Sequence, residues 1–273
     1  MTRDSSALPP QRSGPPSRPG SRVPGWFAAA FAWLVQRTSP HAALLITLAA
    51  GLVPAVLLTL GSAEVYESVT ESEGVARLDQ PLLDAALALR SPDLDTAVTA
   101  FTNLGGSIGM PILAAAAVAA MAVKWRSWTP VLLVAAAAAG SLLMTVAGKE
   151  LIGRARPPLT EAVPPFEHSA SFPSGHSLNA VVISGVVAYL LVLHLKSRGA
   201  KVLTVLAAAG FAAAMGLSRV YLGHHWFTDV LVAWTLGLAW LAVVITAHRL
   251  LHSRRAAGRA AAGGSAGPGQ PPP

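Results

Sequence analysis

Lys149-x6-Arg156-Pro157, Pro173-Ser174-Gly175-His176 and Ser218-Arg219-x5-His225-x3-Asp229 bring together what phosphate chemistry needs: fixed cations, a donor-rich turn, two imidazoles and a carboxylate. The most constrained spacing is that of His225 and Asp229, which are four apart at the start of an apolar run and so share a helix face. A carboxylate there can hold one ring nitrogen, fix the tautomer and leave the other nitrogen free to attack an electrophile. The neighbouring His224 has Thr228 four residues on, which cannot stabilise an imidazolium as a carboxylate can. His225 is therefore the candidate nucleophile, with Asp229 as its orienting partner, while Arg219 offers a two-pronged guanidinium to phosphate oxygens.

Ser174 and Gly175 open another apolar run, where unpaired backbone N–H groups and the positive end of the helix favour an anion. Gly175 permits close approach, Ser174 adds a hydroxyl, and His176 in the first turn is placed to protonate a leaving oxygen as general acid. Lys149 and Arg156 stand at the end of a third run, with Pro157 stiffening its exit. Each motif alone has a bland counterpart: Asp229 as a neutraliser of buried charge, Pro-Ser-Gly-His as a helix cap, the two cations as anchors at the membrane surface. Arg154 and Glu150 fit that anchor role. His41, His194, His248 and His252 fall near the ends of apolar runs and His168 in a loop, and none is assigned a role.

The elements that must position these groups are membrane helices. With 53% hydrophobic residues, 12% charged residues and a mean hydropathy of +0.52, the 273-residue chain is too apolar for an ordinary water-soluble domain. The absence of cysteine removes disulfides, thiolate metal sites and cysteine nucleophiles. The net charge of +7 is scattered around apolar segments and forms no continuous basic face, which argues against nucleic acid as a partner. Six runs, at 41–62, 104–123, 129–148, 176–195, 201–218 and 227–250, approach the ~20 residues needed to cross a bilayer. They predict an all-α, polytopic membrane bundle of about six transmembrane helices.

An even number of spans puts both termini on one side. The two ends and the 124–126 and 196–201 turns hold 14 of the 20 Lys and Arg residues but only one of the 13 acids, Asp4. The positive-inside rule then predicts a multi-pass plasma-membrane protein with cytoplasmic termini and all three motifs facing outward. Residues 1–25 and 256–273, rich in Pro, Ser and Arg or in Ala, Gly and Pro, read as disordered cytoplasmic tails around a membrane-embedded domain at 26–255. The first run reads as a retained signal anchor, preceded by an interfacial segment at 26–35. After it, Glu64, Glu67, Glu71 and Glu73 open an acidic stretch, and Pro81 and Pro92 mark short helices on the outer surface. The Ala- and Gly-rich spans allow close helix approach, with Gly105-x3-Gly109 as one small-x3-small instance.

Taken in order, Lys149-Glu150-Leu151-Ile152-Gly153-Arg154-Ala155-Arg156-Pro157, Pro173-Ser174-Gly175-His176 and Ser218-Arg219-Val220-Tyr221-Leu222-Gly223-His224-His225-Trp226-Phe227-Thr228-Asp229 resemble the three signatures of the type 2 phosphatidic acid phosphatase family. These are membrane relatives of bacterial acid phosphatases and vanadium haloperoxidases. The resemblance covers 75–245, with 79–106 similar to the family's lead-in. It implies that His225 is the nucleophile, Asp229 its partner and His176 the general acid, while Lys149, Arg156, Ser174, Gly175 and Arg219 bind phosphoryl oxygens. Double displacement through a phosphohistidine follows. No Asp and Glu cluster accompanies the motifs, so catalysis is expected to need neither metal nor cofactor. The expected substrate is a membrane lipid phosphate or diphosphate, with undecaprenyl diphosphate favoured by the Ala-rich, bacterial-looking composition and the outward site. Phosphatidate or phosphatidylglycerophosphate-type glycerolipids are the alternative. A lipid-phosphate transporter would use the cations without a nucleophile, and a phosphotransferase would use the same phosphohistidine.

Overall fold

The computed structural model describes residues 40–264, which form helices and turns with no strand among them. In chain order the helices are α1 (Pro40–Glu71), α2 (Asp79–Ala88), α3 (Pro92–Asn103), α4 (Gly109–Trp125), α5 (Thr129–Ile152), α6 (Gly175–His194), α7 (Arg198–Tyr221) and α8 (Phe227–Gly264). Single 3-10 turns at Gly74–Leu78 and Leu159–Glu161 interrupt the connections. The unit from Leu44 onward holds the helices that bear on the three motifs.

Five of these are long and apolar enough to cross a membrane: Leu44–Glu71, Thr129–Ile152, Gly175–His194, Arg198–Tyr221 and Phe227–Ser253. Helix α4, at 17 residues, rises only about 26 Å at ~1.5 Å per residue, short of a ~30 Å hydrocarbon core. The six expected spans thus become five and one shorter apolar helix, because part of the 104–123 run is spent on the turn before Gly109. Gly105 lies in that turn, pressed against Met215, so the Gly105-x3-Gly109 pair forms no common helix face. The acidic stretch also differs from expectation. Glu64, Glu67 and Glu71 extend α1, since glutamate favours helix and no breaker intervenes before Gly74. The short helices expected around Pro81 and Pro92 are present as α2 and α3, the latter with Pro92 at its start and the Ser91 hydroxyl accepting from Leu94 N at 3.3 Å. Helix α8 runs on to Gly264, beyond the expected end of the membrane domain at 255. The expected tail at 1–25, the interfacial segment at 26–35 and residues 265–273 lie outside the described residues.

Helix α6 occupies the centre and packs against α5, α7 and α8, burying Leu178, Val182, Ile183, Val186 and Leu190. Lipid tails are as apolar as leucine, so contacts between such helices rest on close fit more than on hydrophobic drive. Accordingly Gly140 lies against Trp240, Gly185 against Leu241 and Gly216 against Trp234, each where a Cβ would collide. Helix α1 is peripheral, with Leu57 and Leu60 exposed to the bilayer and Ser62 hydrogen-bonded to Thr235 of α8 at 2.7 Å. The up-and-down course brings the C-terminal ends of α5 and α7 and the N-terminal ends of α6 and α8 to one end of the bundle. All three motifs meet there.

Candidate active site

Two glycine turns set the site. Gly153, at φ 62°, ends α5 with its N–H on Lys149 O at 3.1 Å and turns 154–156 back over the bundle end. Gly223, at φ 68°, ends α7, after which the N–H groups of His224 and His225 both reach Arg219 O, at 3.0 and 3.2 Å. A Cβ at Gly223 would stand 2.5 Å from Glu161 O. Arg90 clamps this turn from α2's side, donating from Nε and Nη2 to Tyr221 O at 3.1 and 2.7 Å and from Nη1 to Glu161 O at 2.5 Å.

The His225 and Asp229 side chains, 1% and 0% exposed, face each other with Nδ1 and Oδ2 3.5 Å apart. Ser171 stands beside both, its Oγ donating to Asp229 Oδ2 at 2.5 Å and lying 3.4 Å from His225 Nδ1. The opposite ring nitrogen, Nε2, is 3.2 Å from Arg156 Nη1. A guanidinium only donates, so Nε2 carries the lone pair and the proton sits on Nδ1, toward Asp229 and Ser171. Burial, followed by the positive Arg156 and Arg219, pushes the imidazole well below its ordinary pKa, which keeps it neutral at physiological pH. A neutral His with an oriented lone pair is the form required for nucleophilic attack.

The cations converge on one short segment. Arg156 pairs with Glu167 Oε2 at 2.8 Å, and Arg219, 2% exposed, holds Glu167 Oε1. Lys149 Nζ donates to Ser169 Oγ at 3.1 Å and to Ala170 O. Two guanidiniums on opposite oxygens of one anion is the arrangement a phosphoryl group requires. Burial alone would raise the Glu167 pKa, but Arg219 and Arg156 outweigh it and hold the carboxyl at about 2. Arg219 Nη1 further donates to Thr102 Oγ1 at 3.2 Å, while its buried Nε has no hydrogen-bond partner.

His176 lies in the first turn of α6, its Nε2 3.5 Å from where a Cβ on Gly106 would be. Together with His225 it is within electrostatic reach of Glu167. Gly175 opens α6 against Thr145. Thus His225, Asp229, His176, Lys149, Arg156, Arg219 and Gly175 lie at the same end of the bundle. The Ser174 hydroxyl differs from expectation: it is buried, pairs with Ser177 Oγ at 2.8 Å and caps α6, because a serine preceding a helix satisfies the helix's own first-turn amides. Its N–H donates to Asp229 O at 3.2 Å, so it supports the site through the backbone.

Arg154 also departs from expectation. It is no surface anchor: Nη1 donates to Asp229 Oδ1 at 2.6 Å and Nη2 to Asp79 Oδ2 at 2.7 Å. Burial of two carboxylates beside it is the physical reason for its inward course. Glu150 is exposed, as an anchor should be. His224 is structural, its Nε2 donating to Val163 O at 2.7 Å, with burial and then Arg219 lowering its pKa to about 4. Glu167, Ser171 and Asp79 went unassigned in the sequence because no helical spacing links them to a motif. Among the described residues no three His, Asp or Glu side chains gather as a metal site.

A family profile described as PAP2 superfamily matches residues 129–252. Phosphatidylglycerophosphatase B of Bacillus subtilis (strain 168) is 36% identical over 176 residues, 64% of this chain and 85% of that protein. The crystal structure described as the first transmembrane PAP2 type phosphatidylglycerolphosphate phosphatase from Bacillus subtilis superposes with a TM-score of 0.65 at 34% identity, covering 71% of this chain and 96% of that one. The crystal structure of Aquifex aeolicus LpxE gives a TM-score of 0.49 at 23% identity, covering 62% and 94%.

Proposed function

This chain belongs to the PAP2 superfamily and is a multi-pass membrane phosphatase, and we propose that it removes the terminal phosphomonoester of an anionic glycerolipid of the phosphatidylglycerophosphate or phosphatidate class. The observation that carries hydrolysis is the His225 imidazole, neutral and with Nε2 aimed at Arg156, which with Arg219 grips a single anion. The lipid class follows the relative named phosphatidylglycerophosphatase B. Undecaprenyl diphosphate, favoured by the composition and the outward-facing site, has no such relative behind it.

In the proposed reaction Nε2 attacks phosphorus, the bond from phosphorus to the lipid oxygen breaks, and His176 gives that oxygen a proton. Water then attacks the phosphohistidine, His176 takes the water's proton, and the N–P bond breaks to release inorganic phosphate. Lys149, Arg156, Arg219 and the start of α6 stabilise the developing charge, while Asp229 stabilises the charged imidazole. The concentration of Lys124, Arg126, Lys196, Arg198 and Lys201 at the opposite end of the bundle supports a site on the outer face.

The test is phosphate release by purified protein in detergent, with phosphatidylglycerophosphate, phosphatidate and undecaprenyl diphosphate in parallel and His225→Ala as control. Fastest release from the glycerolipid monoesters, lost in the variant, is the expected result. Fastest release from the diphosphate overturns the substrate class, and release that persists without His225 overturns the mechanism.

A further inference from the structure

Building on the phosphohistidine route above, we propose that Arg154 and Asp79 are positioning residues that hold Asp229 in its working orientation, coupling the helix at the bundle end to the catalytic carboxylate. Asp229 is fully buried, and a buried carboxylate needs a compensating charge. His225 is neutral and stands 3.5 Å away, so it does not supply that charge in the resting site. The guanidinium of Arg154, 17% exposed, does: Nη1 donates to Oδ1 at 2.6 Å, the oxygen that His225 does not face. Oδ2 accepts from Ser171 Oγ at 2.5 Å and from Trp226 N at 3.0 Å. Every direction around the carboxylate is therefore fixed except the one toward the imidazole.

Arg154 is itself fixed. Its Nη1 also donates to Thr228 Oγ1 at 2.8 Å, its Nη2 to Asp79 Oδ2 at 2.7 Å, and its Cζ lies 5.7 Å from the centroid of the Trp226 ring, whose Nε1 donates to Ala155 O at 2.9 Å. Asp79, the first residue of α2, accepts from Thr228 N at 2.8 Å and from Thr228 Oγ1 at 2.7 Å. The start of α2, the exit of α5 and the start of α8 are thus tied at the residue next to Asp229. One guanidinium between two carboxylates leaves a net negative charge, which becomes useful when His225 acquires a positive charge on phosphorylation. Arg154 acts through Asp229 and touches neither the anion held by Arg156 and Arg219 nor His225.

The test is a double-mutant cycle. Arg154→Met and Asp79→Asn are each expected to lower kcat by about 10–100-fold with KM within about threefold, since the phosphate grip is untouched. Arg154→Lys should recover part of the loss by restoring charge without the two-pronged geometry. In an Asp229→Asn background, adding Arg154→Met should cost no further activity, because the carboxylate it orients is gone. If the loss is equally large in that background, or if KM rises while kcat holds, the positioning role is overturned. The isosteric Asp79→Asn answers the same question should Arg154→Met not fold. A His225→Ala variant that retains activity would sink the phosphohistidine route itself, whereas an inactive His225→Ala beside a fully active Arg154→Met sinks only the positioning role.

Discussion

Glu167 occupies the grip that a phosphoryl group needs, and replacing it with Gln is expected to tighten the binding of inorganic phosphate. In the resting site its two oxygens are held by Arg156 and Arg219, so an incoming phosphate must displace a carboxylate before it meets either guanidinium. The carboxyl sits at about 2 against an ordinary 4.5. At ~1.4 kcal/mol per pH unit this amounts to about 3 kcal/mol of net favourable interaction for the ionised form. Glu167 is 30% exposed, and with solvent screening and the hydrogen bonds that Gln retains, about 1–3 kcal/mol of competition disappears in the variant. That corresponds to roughly a 5- to 150-fold lower inhibition constant for phosphate. The assay is competitive inhibition of lipid-phosphate hydrolysis by inorganic phosphate at pH 7, in protein whose helicity and Tm match the parent. An unchanged or weaker inhibition in folded Glu167→Gln would refute the reasoning, and would mean that phosphate and Glu167 bind together instead of in exchange.

Replacing His225 with Ala should abolish release by about 10³-fold or more, as loss of a nucleophile does, and alkali-quenched variant protein should carry none of the phosphohistidine expected in the parent. Chelation with EDTA should leave hydrolysis unchanged; loss of activity that magnesium restores would contradict charge stabilisation by Lys149, Arg156 and Arg219 alone. Stability should fall in two acid ranges, followed by helicity in detergent. Buried His225 is held below its ordinary pKa, so the unfolded chain binds the extra proton, and stability present above pH ~6.5 declines below it. Glu167 contributes above about pH 4.5 and loses that contribution as pH falls toward about 2, a component that Glu167→Gln removes. Gly223→Ala should cost at least ~1–2 kcal/mol, from the left-handed φ and the approach of Glu161 O, and should lower both Tm and kcat by moving His225.

Much of the site follows from short-range spacing. His225 and Asp229 face each other because residues four apart on a helix must, and Gly175 and His176 stand at a helix start because the apolar run begins there. Run lengths alone defined the four helices α5 to α8, whose ends meet at the site. Hydropathy was less informative for α4, whose apolar run includes a turn that a windowed average cannot separate from helix, and for α1, where glutamates continue the helix past the apolar segment.

What only the tertiary structure decided lies in the loops and across the bundle. Glu167 and Ser171 sit in an irregular segment whose path is set by the cations it satisfies, and no periodicity predicts where such a segment folds. Arg154 and Asp79, 75 residues apart in sequence, meet because Gly153 turns the chain back just as α2 crosses the start of α8. Sequence alone assigned Arg154 to the membrane surface, since an arginine near a span end usually finds solvent. Two buried carboxylates drew it inward instead. Local spacing thus determined which residues could do the chemistry, while the long-range pairing of buried charges decided which others hold them in place, because the cost of an unpaired ion in a low-dielectric interior depends on neighbours that sequence order does not reveal.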